Sequence, residues 1–74
     1  MNVLVKLFAT FRNDRFKEKR CEYEAGTMVS QVIEELNLPE DQIGAVLVNA
    51  RHVEDDQELK DGDTLSIFPL VGGG

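Results

Sequence analysis

One amphipathic helix set among strand-like segments limits what this chain can fold into. Val29, Val32, Ile33 and Leu36 recur at i, i+3, i+4 and i+7, so one stripe of a helix must face an apolar surface. The flanking apolar segments are short and strand-like instead. Across residues 2–11, Val3, Val5, Leu7, Ala9 and Phe11 share one strand face, and Leu4, Lys6, Phe8 and Thr10 share the other. A single helix covers one face of one sheet and leaves the opposite face bare.

The remaining elements follow from local chemistry. Asn13-Asp14 supplies a turn, and a charge-rich second strand at about 16–24 suits an edge (Lys17, Glu18, Lys19, Arg20). It pairs most simply antiparallel to the first strand. Gly26-Thr27 opens the helix, with Thr27 as N-cap, and Asn37-Leu38-Pro39 ends it. Glu40-Asp41-Gln42 reads as a loop or one helical turn. A third strand at about 45–49, a tight Asn49-Ala50 turn and a short strand Arg51-His52-Val53 come next. Glu54 to Leu59 forms a loop or one helical turn. Lys60-Asp61-Gly62-Asp63 turns with Gly62 free to take positive φ, and the last strand spans about 64–70. The expected architecture is α+β, with the order strand, strand, helix, strand, strand, strand.

Size and composition narrow the function. Seventy-four residues make one domain with a thin core and little room for a buried catalytic pocket. The lone Cys21 excludes an intramolecular disulfide framework and fits the cytoplasm. No segment reads as a membrane span or a signal peptide. A formal net charge of −6 argues against nucleic acid. It suits either a protein partner with a basic surface or simple solubility.

The chain closes on Val71-Gly72-Gly73-Gly74 directly after the last strand. Consecutive glycines resist ordering, so residues 71–74 are expected as a flexible tail after a domain of residues 1–70. Such a tail is either an inert end or a narrow handle that carries a reactive α-carboxylate into a partner enzyme.

Strand alternation adds a second candidate surface. With Val3, Val5, Leu7, Leu65 and Ile67 facing the helix, Leu4, Phe8, Phe68 and Leu70 face away, and Leu59 is expected to join them. An exposed apolar patch of this kind marks a partner surface, and the competing reading is local strand pairing.

Phe8-Ala9-Thr10-Phe11-Arg12, the Leu59-Lys60-Asp61-Gly62-Asp63 turn and the ending Phe68-Pro69-Leu70-Val71-Gly72-Gly73-Gly74 resemble the ubiquitin-like β-grasp sulfur carriers of the MoaD and ThiS type. The likeness is nearest to small subunits of molybdopterin synthase and covers essentially the whole chain. Leu70 stands where that family usually has a second proline, and Gly72 fills a variable place. The resemblance implies a mixed sheet of about five strands, with the first and last strands parallel at its centre. It implies a non-catalytic carrier that binds no metal or cofactor itself. An E1-like adenylating enzyme would use ATP to form an acyl-adenylate on Gly74, and a sulfur donor would convert it to a thiocarboxylate. Gly73, Gly72 and Val71 would thread into the partner, and Phe8, Leu59 and Phe68, flanked by Leu4 and Leu70, would dock. The larger partner would be a molybdopterin synthase subunit or a thiazole synthase. A thiamine-thiazole carrier and a ubiquitin-like modifier forming isopeptide bonds are the alternatives, as is a plain interaction module.

Other residues rank lower. Cys21 reads as a small packed hydrophobe before a persulfide carrier. His52 lacks neighbours with ligand spacing. Glu54-Asp55-Asp56 and Asp61/Asp63 match no calcium loop and read as solvated turns or partner contacts. Lys6 either pairs with a partner or snorkels from the patch.

Overall fold

A computed structural model describes residues 1–70; the expectations for Val71, Gly72, Gly73 and Gly74 lie outside the described residues. Five strands and one helix are formed: β1 (Asn2–Leu7), β2 (Glu18–Glu22), α1 (Val29–Glu35), β3 (Ile43–Val48), β4 (Arg51–His52) and β5 (Thr64–Pro69). The sheet order is β2-β1-β5-β3-β4. β1 and β5 lie side by side and parallel, in the register Val5↔Leu65 and Leu7↔Ile67. All other neighbours are antiparallel. This mixed sheet, covered on one face by one helix, is the α+β β-grasp architecture that the resemblance implies.

The core is apolar and lies between α1 and the inner sheet face. Val3, Val5, Leu7, Val29, Val32, Ile33, Leu65 and Ile67 are each no more than 1% exposed. Burial alternates along β1 and β5, as period-two patterning requires.

Turns with left-handed residues join the strands. Asn49 and Ala50 have φ of 51° and 68°, a pairing suited to a two-residue hairpin between β3 and β4. Asn49 also ties that hairpin to the next turn. Its Nδ2 donates to Asp63 Oδ1 at 2.9 Å, and its Oδ1 accepts the Thr64 N–H at 2.9 Å. Gly62 has φ of 86°. Asp61 Oδ1 accepts the Asn2 N–H at 2.7 Å, and Asp63 Oδ2 accepts the Lys60 N–H at 2.8 Å. Both acidic side chains of the Asp-Gly-Asp turn therefore hold backbone in place.

Several element boundaries differ from the expectation, among them β3, which begins at Ile43 rather than at about 45, and β4, which ends at His52. β1 stops at Leu7 because Ala9 takes φ of 51° and opens a 3₁₀ turn over Ala9–Arg12. Ala9 is consequently exposed, whereas Phe11 reaches the core from that turn and is 4% exposed. β2 is shorter than 16–24. α1 starts at Val29 with Met28 as N-cap, not Thr27. Thr27 Oγ1 instead donates to Glu24 O at 2.8 Å across the preceding bend. The first-turn N–H groups of Val29 and Ser30 donate to the carbonyls of Gln57 and Asp55, both at 2.9 Å, and Gln31 Oε1 accepts the Met28 N–H at 2.8 Å. These acceptors satisfy donors that a side-chain cap would otherwise serve.

Candidate docking face and tail root

The face of the sheet opposite α1 carries the candidate site. Phe8 succeeds β1 in extended backbone, with φ of −124° and ψ of 152°, so strand alternation continues one residue past the last pairing. Its ring lies against Phe68 of β5, with centroids 4.0 Å apart and planes 9° from parallel. The Arg12 guanidinium stands 5.3 Å from the centroid of the Phe8 ring. The 3₁₀ turn makes this possible by bringing Arg12 back over the end of β1, where its Nε donates to Leu7 O at 2.8 Å. Both aromatic rings are half-buried, and Leu70 is 62% exposed.

The structure brings together part of the expected patch. Phe8 and Phe68 touch, and Leu70 continues the chain from the same edge of the patch. Leu4 shares the face, but it pairs with Thr64, two rows from the phenylalanines. The row between them holds Lys6 and Ser66, so the apolar surface is interrupted by a charge. Lys6 faces Glu18 across β1 and β2.

Leu59 does not belong to this face. It is 1% exposed and packs in the core, with its N–H donating to Thr27 O at 2.9 Å. The segment that caps the start of α1 threads Leu59 between helix and sheet, which leaves no apolar surface for a partner.

Three residues of the face lie outside the sequence expectation. Val46 and Val48 point into the core, so Ala45 and Leu47 point outward. Ala45 pairs with Phe68 and Leu47 with Ser66, which extends the patch across β5 onto β3. The alternation in Ala45-Val46-Leu47-Val48 holds that signal. The third is Arg12, which in the sequence is only one letter of a motif; its stacking on Phe8 depends on a turn that alternation does not reveal.

The last described residues are fixed by β3. Ile43 pairs with Pro69, and the Leu70 N–H donates to Gln42 O at 2.7 Å. The chain is thus held up to Leu70, immediately before the four terminal residues.

Nothing on this face resembles a catalytic constellation. Among the described residues, no group of three His, Cys, Asp or Glu is placed to hold a metal ion. No helix among them is long and apolar enough to cross a membrane. What the geometry offers is a stacked aromatic pair on the face that α1 leaves uncovered, with exposed Leu70 two residues beyond Phe68.

The family model described as the ThiS family matches residues 5–74. The chain belongs to the ThiS family. It thereby groups with the ubiquitin-like sulfur-carrier family. It is 34% identical to a Pyrococcus furiosus protein provisionally described as molybdopterin converting factor, subunit 1, with a TM-score of 0.79 over 96% of this chain and 99% of that one. It is 23% identical to a chain in a Helicobacter pylori complex of subunits 1 and 2 of molybdopterin-converting factor, with a TM-score of 0.70 over 100% of both. It is 21% identical to the Haloferax volcanii small archaeal modifier protein 1, with a TM-score of 0.78 over 95% of this chain and 98% of that one. The last two show a shared fold. No curated protein matches the chain.

Proposed function

We propose that this chain carries sulfur on its C-terminal carboxyl group and delivers it in molybdopterin biosynthesis, as the small subunit of a synthase. The observation that carries the reading is the end-to-end similarity to the Pyrococcus furiosus molybdopterin converting factor subunit.

The chemistry begins with a poor electrophile. A carboxylate resists attack at neutral pH until one oxygen is esterified to a good leaving group. An oxygen of the Gly74 carboxylate attacks the α-phosphorus of ATP, and pyrophosphate leaves. The resulting acyl-adenylate accepts a hydrosulfide equivalent at its carbonyl carbon, and AMP departs. The product is a thiocarboxylate on Gly74. Gly72 and Gly73 have no Cβ, which lets the reacting carbon approach a phosphate inside a closed site. ATP and the sulfur donor are bound by an E1-like adenylating partner, not by the carrier. Phe8, Phe68, Leu70 and Arg12 dock that partner and, in turn, the larger synthase subunit. The single half-buried thiol of Cys21 takes no part, and it suits a reducing cytoplasm.

A second reading has its own support. The structural likeness to a small archaeal modifier protein favours isopeptide conjugation through the same activated glycine. Incubating the chain with its host's adenylating enzyme, ATP and sulfide tests the first reading by intact mass. A sulfur-for-oxygen exchange at the terminus is expected. Accumulation on lysines of other proteins, with no thiocarboxylate, would favour the modifier.

A further inference from the structure

Gly44 is a glycine without a conformational reason to be one. Its φ lies outside the left-handed region, and it sits within β3, where glycine weakens a strand. Space explains it. A Cβ built at Gly44 would lie 2.7 Å from Pro69 O and 3.0 Å from both the Cα and the N of Leu70. Those three atoms are backbone, so no side chain can swing aside to make room.

The register around Gly44 is irregular. Ala45 pairs with Phe68 and Ile43 with Pro69, so β3 advances two residues while β5 advances one. Gly44 is the extra residue of a β-bulge, a feature that bends a strand and re-aims the backbone beyond it. The bend delivers the Leu70 N–H onto Gln42 O at 2.7 Å. Gln42 itself is held by the 3₁₀ turn Glu40–Gln42, through its own N–H to Pro39 O at 2.9 Å. Pro69 has no N–H, so Leu70 provides the donor that secures the end of β5.

We infer that Gly44 and the carbonyl of Gln42 form a latch that fixes the backbone at Pro69 and Leu70, the root from which the chain runs on to Gly74. Gly44 is a positioning residue: it touches neither ATP nor the reacting carbonyl, and it acts through the backbone of Pro69 and Leu70. The inference rests on the sulfur-carrier reading for its consequence in catalysis. Gly74 follows Leu70 by four residues, so the position of Leu70 sets the point from which the reacting carboxyl must reach the partner's site. A misplacement of about 1 Å at a reacting centre costs on the order of a hundredfold in rate. Phe8 and Phe68 stack across β1 and β5, and Leu70 is the docking residue that the latch itself holds.

The test compares wild-type chain with Gly44→Ala, using the host's adenylating enzyme and ATP–pyrophosphate exchange. The latch requires kcat/KM to fall about tenfold or more. Amide hydrogen exchange at Leu70 gives a readout independent of activity. It must be slow in the wild type and accelerate in Gly44→Ala, while Val46 and Ile67 stay protected. Unchanged kcat/KM in Gly44→Ala would overturn the inference and leave the carrier reading intact. So would a Leu70 amide that exchanges at the peptide rate in the wild type, a result that holds even if the variant does not fold. A wild-type chain that no adenylating enzyme charges would overturn the carrier reading, and the positional role with it.

Discussion

The rings of Phe8 and Phe68 stack at 4.0 Å on the sheet face that α1 leaves uncovered, with the Arg12 guanidinium beside Phe8. The pair joins the end of β1 to the strand from which the terminus emerges. Aromatic and arginine side chains of this kind dominate binding energy at protein interfaces. Replacing both rings (Phe8→Ser with Phe68→Ser) is expected to weaken binding to the adenylating enzyme by about 2 kcal/mol or more, roughly thirtyfold. The stacked pair contributes about 1 kcal/mol to the fold, so the melting temperature falls by about 4–8 °C. Calorimetric titration and thermal denaturation separate the two effects. A collapsed fold whose folded fraction binds normally would assign the pair to packing.

Leu59 answers in the opposite way. Its side chain is enclosed, and truncation leaves a cavity under the start of α1. Leu59→Ala should cost about 2–5 kcal/mol in unfolding free energy, measured with urea, while the folded protein binds its partner normally. Undiminished stability with lost binding would return Leu59 to the docking face.

Asn49 links two turns through its side-chain amide. Asn49→Ala strands the Thr64 N–H and one oxygen of Asp63, and it places alanine at φ of 51°. The expected loss is about 1–3 kcal/mol, with faster amide exchange at Thr64. An unchanged Thr64 exchange rate would show that the amide contributes nothing.

Tyr23 supplies a pH dependence. Burial, with Cys21 and Glu35 close by, raises its phenol well above the usual tyrosine range. Its hydroxyl donates to Glu35 Oε1 at 3.4 Å. The folded state therefore keeps the proton where the unfolded chain begins to lose it. This contribution is complete below the unfolded value of about 10 and is lost as pH rises toward the folded value. Stability should decline above about pH 10, and Tyr23→Phe should flatten that decline in urea titrations from pH 8 to 11. Parallel curves for the two proteins would remove Tyr23 from the cause.

Much of the fold is legible from periodicity, and the differences share one physical origin. The α1 stripe, the Asn49-Ala50 turn and the positive φ at Gly62 are local properties, written where they act. Thr27 reads as the cap in sequence because its competitors, the carbonyls of Asp55 and Gln57, lie some 25 residues away in the chain. Leu59 is placed on the wrong side because a loop residue carries no alternation to reveal its direction. Leu4 lies on the face that alternation assigns it, two rows from the phenylalanines, because alternation gives a face but not the distance along it. Ala45 and Leu47 are readable from the same alternation, although the expected patch omits them. Gly44 is invisible in sequence, since only the close approach of Pro69 O gives its missing side chain a meaning. Resemblance, not periodicity, supplies the parallel pairing of β1 with β5.

Changes at the terminus separate chemistry from folding. Gly74→Val, or removal of Gly74, should abolish adenylation while urea unfolding is unchanged, because a glycine has no side chain to contribute to a core. A deletion variant that still gains a thiocarboxylate would place the reacting carboxyl elsewhere.

The most direct measurement is the intact mass of the protein purified from its native host, with its terminal peptide sequenced by fragmentation. The predicted result is a chain ending at Gly74, a fraction of which has one terminal oxygen exchanged for sulfur. A chain that continues past Gly74, or one whose terminal carboxylate stays unmodified in the presence of ATP, sulfide and every adenylating enzyme of that host, would contradict it.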